Sequence, residues 1–169
     1  MDEANYPGIR VLPDTMLETM YTPLRIDLSI GDMITPYEVS YLFQLLLEER
    51  VIPILAYNIE TVLAEKIETL LVRGTANTRM RDFHDIFILT NSQEHKIDNA
   101  TLKKAFTNTG EQRGSISLLP EADQILAEIS ESKVLVALWN NYRQKFSYAA
   151  DVLWDDAIKA AKHLIEVIK

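Results

Sequence analysis

At 169 residues the chain is sized for one domain, and hydrophobic residues at 47% supply enough material for a core, which excludes a disordered chain. A net charge of −8 excludes a protein that coats nucleic acid non-specifically, because phosphate neutralisation needs many Lys and Arg on one face. The absence of cysteine excludes disulfides and thiolate metal sites and suits a reducing cytoplasm.

The opening Met1–Gly8 has no basic stretch followed by an apolar run, so no signal peptide is expected. Ile9-Arg10-Val11 reads as a strand between Pro7-Gly8 and Pro13-Asp14. Arg25–Ile30 alternates, with Leu24, Ile26, Leu28 and Ile30 on one face and Arg25, Asp27 and Ser29 on the other, and Gly31-Asp32 ends it. Asp27 is conspicuous, since aspartate is depleted in strands. It either faces a ligand or metal, or pairs across the sheet with a cation such as Arg10.

Thr35-Pro36-Tyr37-Glu38 has the marks of a helix start, yet Val39, Tyr41, Phe43 and Leu45 alternate. The polar Glu48-Glu49-Arg50 followed by apolar Val51–Ala56 favours a hairpin. The apolar stretch Tyr41–Leu47 is broken by Gln44 and is too short to span a bilayer. From Tyr57 onward helices dominate. Asn58 caps one that runs to Arg73 and stops at Gly74. A second runs from near Thr78 to about Leu89, and further helical patterns cover Asn99–Phe106, Glu121–Ile129, Lys133–Lys145 and Asp155–Ile168. Strands first and helices after predict an α+β fold, one domain with a strand-rich part over 1–57 and a helical part over 58–169.

The chemistry is concentrated where cations bunch: Lys66, Arg73, Arg79 and Arg81. On a helical wheel Ile59, Val62, Leu63, Ile67 and Leu70 form one face with Lys66 near its middle and Arg73 further along, while Glu60, Glu65 and Glu68 point elsewhere. A lysine there either meets an anion, carboxylate or phosphate, or snorkels to water. The next helix offers Asp82, at the border of the core face of Met80, Phe83, Ile86 and Phe87 and in the first turn, with Asp85 one turn on and further toward solvent. The alternative there is a solvated helix start, with Arg79/Asp82 and Arg81/Asp85 as surface pairs. His84, His95 and His163 are scattered, so no zinc site is expected. Trp139, Tyr142 and Phe146 recur at helical spacing and read as core.

The strand Arg25–Asp32 with Ile34-Thr35-Pro36, the run Leu55–Lys66, and Arg73-Gly74 leading to Asn77-Thr78-Arg79-Met80-Arg81-Asp82-Phe83-His84-Asp85 occur in that order. Together with the tail Trp139–Tyr148, they resemble the AbiEii/AbiGii toxin family of nucleotidyltransferases, the toxin half of bacterial abortive-infection toxin–antitoxin pairs. The resemblance implies catalytic roles for Lys66 and Asp82, nucleotide-binding roles for Arg73, Arg79, Arg81 and Asp85, and a metal-binding role for Asp27. It also implies an NTP substrate, Mg²⁺ as cofactor, an RNA acceptor such as tRNA, an antitoxin partner, and phage defence in the cytoplasm, away from membranes.

The family's opening Gly-Ser and Asp-x-Asp are a departure. No Asp-x-Asp occurs in this sequence, and the Gly114-Ser115 pair lies after Lys66. The expectation is therefore the later, strand-and-helix portion of such an enzyme, inactive alone and short of carboxylates for Mg²⁺. Its open sheet edge would be covered by a second copy or a partner segment. The competing expectation is a non-catalytic interaction module derived from the same fold.

Overall fold

A computed structural model describes residues 8–93 and 96–169; Met1–Pro7, Glu94 and His95 lie outside the described residues. The chain divides into two compact units, Met1–Asp32 and Met33–Lys169. Strands precede helices, so the fold is α+β.

In the first unit β1 (Gly8–Val11) pairs antiparallel with β4 (Ile26–Ser29), and Arg10 stands opposite Asp27. Between them β2 (Asp14–Leu17) and β3 (Met20–Pro23) form a hairpin that the sequence reading did not contain. The reason lies in its turn. Glu18-Thr19 has none of the Asn-Gly or Asp-Gly chemistry that marks a two-residue hairpin, yet Glu18 adopts φ 53°. A residue with a Cβ pays about 1–2 kcal/mol for that conformation, so nothing in the composition advertises it.

The second unit opens with the expected hairpin, β5 (Val39–Gln44) against β6 (Val51–Ala56), antiparallel with Val39 opposite Ala56. Its turn closes through Leu45 N–H to Arg50 O at 3.1 Å and the Gln44 amide to Glu48 O at 3.0 Å. Alternation has therefore prevailed over the helix-start signal at Thr35-Pro36.

Six α-helices follow among the described residues: α1 (Ile59–Arg73), α2 (Met80–Gln93), α3 (Asn99–Arg113), α4 (Ala122–Glu131), α5 (Lys133–Lys145) and α6 (Trp154–Ile168). Asn58 caps α1, accepting from Thr61 N–H at 3.3 Å, and its own amide donates to Thr35 O at 2.6 Å. One residue thus starts the helix and ties the preceding loop to it. Gly74, at φ 50°, ends the helix.

Helix α3 runs to Arg113 rather than Phe106. The helix continues through Gly110, which lies where a Cβ would approach Ile116 Cα to 3.2 Å. Close packing accounts for that glycine, and the true end is the left-handed Gly114 at φ 68°. The core joins Leu63, Ile67 and Leu70 of α1 to Phe83 and Ile86 of α2, Phe106 of α3, Trp139 of α5 and Leu164 of α6, all at most 1% exposed. Helix α1 packs on α2 and α3, and α2 packs on α6 and α5. These contacts fix Lys66 against the first turns of α2.

Candidate functional site

Lys66 sits at the midpoint of α1, on the side that meets α2. Its ammonium donates to Asp82 Oδ1 at 2.9 Å and to Asp85 Oδ2 at 2.8 Å. The side chains are 19% exposed for Lys66, 15% for Asp82 and 27% for Asp85, so this is a half-buried cluster and the lysine pairs rather than snorkels. Asp82 and Asp85 are three apart on α2 and therefore share a face. An ammonium has three N–H groups, and the two carboxylates occupy two of them. One donor is left for a further acceptor.

Two arginines flank the cluster. Arg79 lies 3.8 Å from Asp82 and Arg81 3.8 Å from Asp85, with 58% and 80% of their side chains exposed. Both guanidiniums are largely in water, so each contact is worth tenths of a kcal/mol and leaves the arginine free to turn to an anion. Asn77 prepares this turn: its side chain accepts from Arg79 N–H at 2.9 Å just before α2 begins. Arg73, on the same face as Lys66 but about two turns away, has no ion-pair partner among the described residues and is not brought into the cluster.

The reading of α1 as a one-faced helix is too simple. Glu60 and Glu68, expected to point elsewhere, are 7% and 5% exposed. They face α3 and its flanks. Glu60 accepts from Asp98 N–H at 2.9 Å, and Glu68 accepts from Arg113 at 2.8 Å and Ser115 Oγ at 2.7 Å. The Gly114-Ser115 pair thus ends α3 and anchors a buried glutamate.

Beside the cluster an open groove of about 450 Å³ runs between the start of α2 and α5. Arg79 and Arg81 line one wall, and Asn141, Tyr142, Lys145 and Phe146 the other. Trp139 is fully buried, as expected for a core residue, whereas Tyr142 and Phe146 are only part-buried and reach the groove. The Tyr142 and Tyr148 hydroxyls lie 3.0 Å apart. Burial, then the Tyr148 hydrogen bond, pushes the Tyr142 phenol well above the usual tyrosine range, so it stays neutral. His84 packs edge-on to Tyr148 at 5.1 Å with Nδ1 3.8 Å from Asp85 Oδ1, and its buried Nε2 has no partner among the described residues. Both His84 and Lys145 lie within the segments that carry the resemblance, yet the sequence reading gave neither a role, because only folding brings α5 against α2.

In the first unit, Arg10 Nε donates to Asp27 Oδ1 at 2.5 Å and Arg25 Nε lies 3.6 Å from Asp27 Oδ2. The Arg10 hydrogen bond is the main cause that holds the Asp27 carboxyl below its ordinary range. A Mg²⁺ site combines several oxygen ligands at close to octahedral geometry. Asp27 instead faces two guanidiniums, Asp82 and Asp85 face an ammonium, and no three Asp, Glu or His converge among the described residues. The described residues do not fit the ion.

A lysine clasped by two aspartates on the next helix is flanked by two exposed arginines that also line the adjoining groove. A family model described as the nucleotidyl transferase AbiEii toxin, of a type IV toxin–antitoxin system, matches residues 1–160. The chain belongs to the AbiEii nucleotidyl transferase toxin family. No curated protein and no solved structure matches it. No helix among the described residues is long and apolar enough to cross a membrane.

Proposed function

We propose that this chain carries the phosphate-handling part of a nucleotidyltransferase toxin that moves nucleotides from an NTP to an RNA acceptor, tRNA being the acceptor the family points to. The observation that carries the reading is the Lys66 ammonium held by Asp82 and Asp85 with one donor to spare, beside two exposed arginines. In such a transfer an acceptor hydroxyl attacks the α-phosphorus, its proton leaves to solvent or a base, and the bond to the β-phosphate oxygen breaks to release pyrophosphate. Negative charge is carried throughout, so positioning and electrostatics do most of the work. In this reading Lys66 touches the triphosphate, Asp82 and Asp85 orient it, and Arg79 and Arg81 neutralise the departing pyrophosphate. Arg73 would serve a more distant phosphate. Magnesium at Asp27 requires further carboxylates and displacement of Arg10, so transfer by this chain needs ligands from outside this sequence.

An antitoxin partner, a role in phage defence and a cytoplasmic setting follow from the same reading. Covering of the open edge of the β1–β4 pair that holds Asp27 by a second copy or partner segment has support in its exposed Ile9, Ile26 and Leu28, which are 55%, 41% and 47% accessible. These residues also favour the second reading, a non-catalytic interaction module. Calorimetric titration with each of the four NTPs tests the first. Binding that weakens at least about tenfold in Arg79→Ala/Arg81→Ala supports it, and in a transfer-competent assembly Lys66→Ala should cost about 10²-fold in labelled-nucleotide incorporation, the scale for one charge-stabilising group. No NTP binding by the unaltered chain leaves the interaction module standing.

A further inference from the structure

We infer that the groove between the start of α2 and the C-terminal half of α5 binds a single strand of RNA, with Lys145 as a phosphate contact. This deepens the transferase reading by giving its acceptor strand a place. The chain carries a net charge of −8, yet the groove is lined by Arg79, Arg81 and Lys145 and by no Asp or Glu. Cations stand on both walls, so the local charge is reversed against the whole. An acidic protein repels polyanions generally, and a confined basic track is what restricts a polyanion to one path.

The rest of the lining selects among polyanions. Lys145 Nζ lies 5.3 Å from the Phe146 ring centroid, so a cation and an aromatic face occur together. Tyr142 lies 4.9 Å from Phe146, and the exposed Asn141 amide offers a donor and an acceptor to a base edge. Single-strand sites combine a basic groove that follows the backbone with aromatic side chains against which unstacked bases rest. A duplex hides its base faces and has no use for the rings. The groove is also open along the surface instead of closing round its contents, which suits a strand that continues in both directions.

The test uses the whole chain and a 12-nucleotide single-stranded RNA labelled at its 5′ end, read by fluorescence anisotropy at several salt concentrations. Lys145→Ala should weaken binding at least about five-fold and lower the slope of log affinity against log salt by about 0.7, the value for one single-strand phosphate contact. Lys145→Glu should weaken it further. Lys133→Glu, an exposed change on the same helix with the same effect on net charge, should match the unaltered chain within about two-fold beyond its general charge effect. The same RNA annealed to its complement should bind more weakly than the single strand. Binding equal in Lys145→Glu and Lys133→Glu, or a duplex that binds as well as the single strand, overturns the inference. NTP titrations run on the same variants separate it from the transferase reading. Lys145-dependent RNA binding without NTP binding sinks the transferase alone, and Lys145-independent RNA binding with intact NTP binding sinks the groove alone.

Discussion

Asp85 comes as close to the Lys66 ammonium as any partner in the molecule, with Oδ2 at 2.8 Å, and it does so from the more exposed side of the cluster. Asp82 holds the same nitrogen at 2.9 Å from the more buried side. The lysine is therefore fixed from both sides, and its remaining N–H has a defined direction instead of sweeping a cone of solvent. Such fixing is what makes an ammonium useful for positioning a phosphate, and it also ties α1 to the start of α2.

Removing the lysine exposes the cost of that arrangement. In Lys66→Ala two carboxylates remain side by side with no ammonium between them, in a site only 15–27% exposed. Partial exposure and the flanking arginines screen part of the repulsion, so a loss of about 1–3 kcal/mol is expected by urea denaturation. Unchanged stability would mean that the clasp does not hold in solution. Any loss of activity in this variant must accordingly be read beside its folding curve.

The two aspartates should not act independently. Asp82→Asn and Asp85→Asn each leave one carboxylate on Lys66, whereas the double variant leaves the ammonium with amide oxygens alone. A double-mutant cycle should give a coupling of about 0.5–3 kcal/mol, the range for residues that share a partner. Additive effects would show that only one of them engages the lysine.

Much of this was legible in the sequence because it depends on helical periodicity. The central wheel position of Lys66 called for an anion or a path to water, the border position of Asp82 offered the anion, and the order of the Lys, Arg and Asp residues pointed to the family that matches residues 1–160. What stayed hidden depends on three-dimensional contact between distant elements. Glu68 was placed only off the apolar face, and its partners Arg113 and Ser115 lie 45 and 47 residues away. Lys145 joined Arg79 only because α5 packs on α2. The β2–β3 hairpin turns on Glu18, a residue type that gives no turn signal. Asp27 left two readings open, and its Arg10 partner could be confirmed only by register.

Glu68 should carry a large stability effect without any part in phosphate handling. Its side chain is 6% exposed and accepts from both Arg113 and Ser115. Glu68→Ala leaves Arg113 with a weaker set of partners in a largely buried position, and breaking such a pair costs about 3 kcal/mol. Thermal unfolding checks this, and NTP affinity measured below the transition should remain within about two-fold of the unaltered chain. A stable Glu68→Ala that loses NTP binding would move Glu68 into the site.

Asn58 should show the ordinary cost of a helix cap plus a loop tether. Asn58→Ala removes the acceptor for Thr61 N–H and the donor to Thr35 O. A loss of about 1–2 kcal/mol in the same denaturation assay is expected. Asn58→Ser keeps the cap but cannot reach as the amide does, so it should recover only part of that loss. Equal stability of Asn58→Ala and the unaltered chain would show that neither bond holds in solution.

The pH behaviour of the first unit should report on Asp27. Its carboxyl lies below the ordinary range, chiefly through the Arg10 hydrogen bond, which desolvation opposes and the still smaller charge effects of Arg10 and Arg25 assist. A folded-state pKa below the unfolded one favours folding at pH values above the unfolded pKa, and that contribution disappears as pH falls through the folded pKa. Removing Arg10 should therefore raise the Asp27 pKa toward its ordinary value and reduce the acid loss of stability in this unit. Arg25→Ala should raise it less, because Arg25 stands at 3.6 Å and makes no hydrogen bond to it. More than half of each partner in the Arg10–Asp27 pair is exposed, so 1 M salt should shrink the shift in the unaltered chain. Carbon-13 NMR of the aspartate carboxyls across pH 2–6 follows Asp27 directly. A titration curve for Asp27 that is the same in Arg10→Ala as in the unaltered chain would show that the cross-strand pair is not what holds this carboxylate, and would return Asp27 to the pool of free ligands for a metal.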